Sequence, residues 1–283
     1  MKTGPRQPED KRPESAAESI RALSQPLHLY EYLTHSHHYH FGCFKDPQEP
    51  LASAMDRLVL RCVPLLVPGG RTLDVGCGMG GTSALLAASG FPTVGIDPEG
   101  GSIDFARRTL DQQTRLVFSV MGIQDLMNGR AHGLGPFDNI VIFEVLQYLP
   151  PLLELFNWCC STCRPGGVVV INDVATVPDL GCRNVPFPRQ GALRAVGEAA
   201  GLELIESQVI TSSVTPTLGR LIGLLEESRE ETVSFFGAER GGVEDEISEL
   251  ISQWKELRRG FANQDLVYET VVLRRKQMPA DHG

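Results

Sequence analysis

No apolar run in this chain approaches the ~18 residues needed to cross a bilayer, and the N-terminus lacks the apolar core of a secretion signal. Those absences exclude a spanning helix and point to a soluble, cytoplasmic protein. Concentrated positive charge is missing too: 26 basic residues stand against 35 acidic ones, a formal net charge of −9. Phosphate backbones and anionic membrane surfaces both require clustered Lys and Arg. Nucleic acid and membrane are therefore excluded as partners. Seven cysteines, an odd number, do not make a disulfide framework. Cys160 and Cys163 have a metal-like C-x-x-C spacing with Cys159 beside them, but zinc would want a second pair, and Cys182 alone is near. Free thiols buried as small apolar groups are the favoured reading, and no metal is expected.

What the chain does have is ordinary globular composition, 42% apolar and 22% charged, over 283 residues. That length suits one large domain, or a domain with a sizeable cap. Its organising stretch is Leu73-Asp74-Val75-Gly76-Cys77-Gly78-Met79-Gly80-Gly81-Thr82. It reads as a buried strand, a glycine-rich turn and the start of a helix. Such a turn lets the backbone approach a ligand and offers it N–H groups. Asp74 can aim a carboxylate at a positive group on that ligand. The next strand, Pro92 to Ile96, ends in Asp97, 21 residues after Gly76. That spacing fits one βαβ unit with an acid placed to bind a ribose diol.

The string Leu-Asp-Val-Gly-Cys-Gly-x-Gly does not stand alone. It is followed by Gly95-Ile96-Asp97, Phe137-Asp138, Glu144-Val145-Leu146 and Arg164-Pro165-Gly166-Gly167. Together these closely resemble the class I S-adenosylmethionine-dependent methyltransferases of small-molecule type, over residues 60–210 and the final strand. The resemblance implies an α/β fold, a Rossmann-like seven-stranded sheet with the last strand antiparallel and a helical cap. It implies S-adenosyl-L-methionine as cofactor, held by Asp74, Gly76, Cys77, Gly78, Gly80, Asp97, Pro98 and Glu144. It also implies an adenine-binding turn at Gly122 to Leu126, with Ile123 packing on the purine and Gln124 or Asp125 accepting from its amino group. The family often has a histidine near Gln147; here the sequence is Gln147-Tyr148, so a base at that point is missing.

The least typical segment is His35-Ser36-His37-His38-Tyr39-His40-Phe41-Gly42-Cys43-Phe44, with four histidines and three aromatic residues in ten positions. Loosely, it resembles the corresponding segment of geranyl diphosphate C-methyltransferase-like enzymes, where aromatic residues cover the methionine end of the cofactor. Adjacent histidines on one loop cannot all converge on a metal ion. A packing role and a substrate-touching role both remain open. The catalytic candidates are His38, Tyr39, His40 and Glu144, since imidazole is matched to proton transfer near neutral pH.

Domain boundaries follow composition and periodicity. Residues 1–15 are polar and Pro-, Lys- and Glu-rich, which predicts a disordered tail. Residues 16–65 predict a helical N-terminal lid, 66–211 the cofactor-binding core, 212–262 a helical cap insertion and 263–275 the last strand. Within the insertion Thr217–Ser228 and Glu244–Arg259 have helical periodicity. It would arch over the sheet's ligand edge, or serve stability or homodimerisation. The expected activity is C- or O-methylation of a small-molecule acceptor, of the kind found in secondary metabolism. The rival readings are a nicotinamide-dependent oxidoreductase, against which Asp74 would face a pyrophosphate, and an inactive cofactor-binding interaction module.

Overall fold

The computed structural model describes residues 27–110, 114–129, 134–177, 187–237 and 241–277. The expected tail over 1–15 and Cys182 lie outside the described residues. The helix expected from Ala16 is described from Leu27, as α1 (Leu27–Thr34), followed by α2 (Leu51–Cys62). The glycine-rich stretch then links β1 (Thr72–Val75) to α3 (Gly81–Ala88). After it come β2 (Thr93–Asp97), α4 (Gly100–Leu110), β3 (Leu116–Val120), the short α5 (Ile123–Met127) and β4 (Phe137–Phe143). Next are α6 (Leu152–Thr162), β5 (Cys163–Thr176), α7 (Ala192–Ala199) and β6 (Leu202–Val209). A helical insertion of α8 (Thr211–Val214), α9 (Pro216–Glu227), α10 (Arg229–Gly237) and α11 (Val243–Ala262) precedes β7 (Leu266–Arg275).

The seven strands form one sheet in the order β3-β2-β1-β4-β5-β7-β6. β7 runs antiparallel to both neighbours and the other pairings are parallel. Central strands read as unbroken apolar runs because helices cover both faces. The pleat sends Ile140 and Ile142 into one apolar cluster with Leu73 and Phe156, and Val141 and Phe143 into another with Val59 and Leu86. Strand order reverses between β1 and β4, so the crevice beyond their C-terminal ends is the natural ligand position.

β5 is a long strand of 14 residues. Arg164-Pro165-Gly166-Gly167 is absorbed into its irregular start, where pairing with β4 shifts register. Its far end is drawn out because β7 supplies a continuous ladder from Arg274 down to Leu266. Asp173 therefore lies inside the strand.

The insertion holds α9 and α11 close to the two predicted segments, and adds α8 and α10. Glu244, Asp245 and Glu246 in the first turn of α11 and Arg259 in its last complement the helix dipole. Ile247, Leu250, Ile251 and Trp254 repeat at helical spacing and are buried. They join Leu29 of α1, Met55 of α2, Leu218 and Leu221 of α9, and Tyr268 of β7 in a single apolar cluster. Lid, insertion and sheet edge thus close over one space.

Candidate active site

That space is a cavity of about 1090 Å³ at the crevice between β1 and β4. Its floor is the glycine turn. Gly76, Gly78 and Gly80 all have positive φ, at 72°, 51° and 87°. A Cβ on Gly76 would strike Val145 and one on Gly80 would strike Phe118, whereas nothing lies within 4 Å of a Cβ on Gly78. Gly78 is thus the member of the turn that faces open space, and Gly76 and Gly80 serve the backbone and its packing. Gly81, which the turn pattern did not single out, sits under the histidine segment. A Cβ there would meet the His37 carbonyl oxygen at 2.6 Å and His38 Nδ1 at 2.7 Å.

Two carboxylates flank the turn. Asp74 is buried and accepts from the Ser83 hydroxyl at 2.6 Å. Burial pushes its pKa up to about 7, the Ser83 bond opposing. Asp97 accepts from the Gly78 N–H at 3.0 Å and the Glu99 N–H at 2.9 Å. Burial also raises it, against those two bonds. Cys77 and Pro98 line the same wall, and burial lifts the Cys77 thiol well above its ordinary range. Ile123 is buried at the cavity edge and Gln124 lines it. Asp125 bonds back to the Gly122 N–H at 3.2 Å, which leaves Gln124 as the polar group of this turn on the cavity.

Opposite lies Glu144, which follows β4 with a left-handed φ of 56°, a conformation that costs a non-glycine residue on the order of 1 kcal/mol. Its Oε1 accepts from the Tyr268 hydroxyl at 2.6 Å and the Phe41 N–H at 2.7 Å. No hydrogen bond among the described residues falls on Oε2. Burial pushes Glu144 up to about 8, the Tyr268 and Phe41 bonds pulling the other way. Asp173, also on the cavity, accepts from the N–H groups of Leu146 and Val174, and burial pushes it up to about 7. Gln147 and Tyr148 stand at the rim, Tyr148 being exposed.

The histidine segment forms the wall between the turn and Glu144. It is held by backbone bonds: Gly81 N–H to the His37 carbonyl at 3.0 Å, Cys43 N–H to the Ala54 carbonyl at 2.7 Å, and Phe44 N–H to the Ser213 carbonyl at 2.8 Å. The Gly42 N–H reaches the Thr217 hydroxyl at 2.9 Å. The segment therefore joins the core, α2 and the insertion.

Its imidazoles are ordered by a chain of hydrogen bonds. The Phe41 carbonyl can only accept, so His40 Nδ1 donates to it at 2.8 Å. Burial holds the His40 imidazole far below its usual range, at about 3. His40 Nε2 and His38 Nδ1 lie 3.0 Å apart, and His38 Nε2 meets Asp56 Oδ1 at 2.9 Å. Every ring nitrogen of the pair is occupied. Both rings line the cavity, held there by the Phe41 carbonyl, by one another and by Asp56. Tyr39 does face the cavity, with burial raising its phenol pKa. Sequence reasoning missed Asp56, Tyr30, Trp254 and Tyr268, which come from α2, α1, α11 and β7. Nothing in their local sequence marks them; only the tertiary fold brings them here.

Residues 48–207 match the family model described as a methyltransferase domain. The chain is similar to the ubiquinone biosynthesis O-methyltransferase of Xanthomonas campestris pv. campestris (strain B100), with 31% identity over 134 residues, 47% of this chain and 55% of that protein. It is likewise similar to the enzyme of that name from Xylella fastidiosa (strain 9a5c), 32% over 131 residues, 45% of this chain and 52% of the other. The chain thus spans about half the length of the curated relatives it matches. Its structure resembles the cyclopropane synthase MmaA2 from Mycobacterium tuberculosis, with a TM-score of 0.76 at 15% identity over 94% of this chain and 99% of that one. It also resembles the cyclase SpnF, with a TM-score of 0.73 at 17% identity over 94% and 96% of the two chains. At such identities the likeness establishes the fold.

Proposed function

Because this chain belongs to the methyltransferase-domain family, we propose that it transfers a methyl group from S-adenosyl-L-methionine to a small-molecule acceptor. The observation that carries the reading is the pairing, in one cavity, of an open glycine position with the carboxylates of Asp74 and Asp97. Gly78 leaves room for a ligand to touch the backbone. Asp97 keeps oxygen lone pairs beyond its two backbone bonds, as a ribose diol requires. Asp74 is a buried carboxylate with no cation of the described residues against it, which suits an ammonium. Ile123 and Gln124 supply an apolar face and a polar group for a purine.

When bound, this cofactor supplies an electrophilic methyl on a positively charged sulfur. The protein's own work is alignment of the acceptor and exclusion of water by the roof. Glu144 is the proposed base, since its Oε2 has no partner among the described residues and a carboxyl raised to about 8 can both take and release a proton near neutrality. His38 and His40 are positioning residues that brace Tyr39 and Phe41 against the turn. In this reading residues 66–211 and β7 form the cofactor core, and residues 27–65 with 212–262 its roof. Among the described residues no helix is long and apolar enough to cross a membrane.

Calorimetry with S-adenosylhomocysteine tests the proposal. Charge-assisted hydrogen bonds contribute about 1.5–3 kcal/mol each, so Asp97→Ala should weaken binding well over tenfold in a folded variant. Unchanged affinity would remove Asp97 from the site. NADH binding more tightly than S-adenosylhomocysteine would overturn the function itself.

A further inference from the structure

The cavity has an unusual charge balance. Among the described residues, seven carboxylates line the whole cavity against one guanidinium, that of Arg259. An acceptor carrying a phosphate, diphosphate or carboxylate handle would find little here to hold it. Glu144 is the sharpest case. Its Oε1 is fixed by Tyr268 and Phe41, while Oε2 has no partner among the described residues. Tyr30 and Tyr39 stand close enough that its charge raises both phenols, after burial has done so. Those two rings meet edge-on at 4.7 Å, and Trp254 packs edge-on to Tyr30 at 6.1 Å. Phe41 and Tyr268 close the other side, 5.4 Å apart. A buried carboxylate ringed by aromatic groups, with no cation supplied by the described chain, is a site that lacks its positive charge. Burial without a counter-ion is also why Glu144 is raised to about 8.

We propose that the acceptor is an amine, seated as its ammonium between Glu144 Oε2 and the rings of Tyr30 and Tyr39, with an apolar body under Leu218, Leu221 and Trp254. This rests on the methyl-transfer reading above and departs from the C- or O-acceptor expected from sequence. The ammonium gives one N–H proton to Glu144 Oε2, which frees the nitrogen lone pair. That pair forms the new N–C bond as the C–S bond of the sulfonium breaks, its electrons staying on sulfur. The product leaves as an N-methylammonium, and Glu144 returns its proton to solvent.

The test is titration calorimetry on the wild-type protein loaded with S-adenosylhomocysteine, using two probes of one shape: benzyltrimethylammonium and its neutral isostere neopentylbenzene. The cation should bind at least tenfold more tightly, and Glu144→Gln should abolish that preference. Equal binding of the two probes by wild type overturns the proposal without recourse to any variant. A preference that survives in Glu144→Gln overturns it as well. So does a Glu144→Gln variant that loses S-adenosylmethionine affinity far more than S-adenosylhomocysteine affinity, since the carboxylate would then serve the sulfonium. Failure of S-adenosylhomocysteine to bind at all would instead sink the methyl-transfer reading, so the two failures are distinguishable. With labelled S-adenosylmethionine, N-methylbenzylamine should be methylated and benzyl alcohol should not; the reverse order counts against an amine.

Discussion

Replacing Gly81 by alanine separates two explanations of the last glycine in the turn. Gly81 opens α3 and its φ is not in the left-handed region, so the backbone there accepts any residue. Considered as a helix position alone, alanine should stabilise by up to about 1 kcal/mol over glycine. Packing argues the opposite. The added Cβ would lie 2.6 Å from the His37 carbonyl oxygen, 2.7 Å from its carbon and 2.7 Å from His38 Nδ1. The backbone atoms among these cannot swing aside, and the Gly81 N–H to His37 bond ties the two segments together. Overpacking of this kind costs about 1–3 kcal/mol, which outweighs the helix gain. In a chain of this size the midpoint should fall by roughly 2–4 °C for each kcal/mol lost. Thermal unfolding and S-adenosylhomocysteine calorimetry read both consequences: a lower Tm, and weaker binding because the histidine segment no longer closes on the turn. An unchanged or raised Tm would refute the packing argument.

Three further outcomes follow from the same geometry. Asp56→Asn removes the carboxylate that meets His38 Nε2, so the bracing chain should loosen; cofactor Kd and acceptor KM should both rise several-fold, Asp56→Glu should restore part of the loss, and no change in either constant would sever the brace from function. Asp74, Asp173 and Glu144 have pKa values raised to about 7, 7 and 8 by burial, so the folded protein keeps protons that the unfolded chain gives up near pH ~4. Their contribution is full below that point and lost as pH rises through 7 and 8, so the ligand-free protein should melt lower at pH 8.5 than at pH 5.5; a Tm that climbs across this interval would contradict the assignment. Leu221→Ser in α9 or Leu250→Ser in α11 should raise acceptor KM at least tenfold, given about 1.5–3 kcal/mol for a buried leucine, while S-adenosylhomocysteine affinity stays within threefold; equal loss of both would make the insertion a stabilising element.

The parts of this protein legible in its sequence are those whose causes are local. A strand that ends in Asp74-Val75-Gly76, the unbroken apolar run from Ile140 to Phe143, and the spacing of Ile247, Leu250 and Trp254 each declare their structure within one element. So does Asp97, because a βαβ unit has a nearly fixed length. The cofactor side of the cavity is built from such elements, all drawn from adjoining strand ends of one sheet. The acceptor side is not. Glu144 was visible as a residue after β4, but its state depends on Tyr268 from β7 and Phe41 from the lid, 124 and 103 residues away. Clustered histidines suggested catalysis, and only the fold sets His38 against Asp56 and His40 against the Phe41 carbonyl. A donor or acceptor is free or occupied only relative to the groups that surround it, and burial is a property of neighbours that no spacing records. Local pattern and spacing therefore determined that a sheet would form and where it would bind; packing decided which carboxylate oxygen is left without a partner among the described residues.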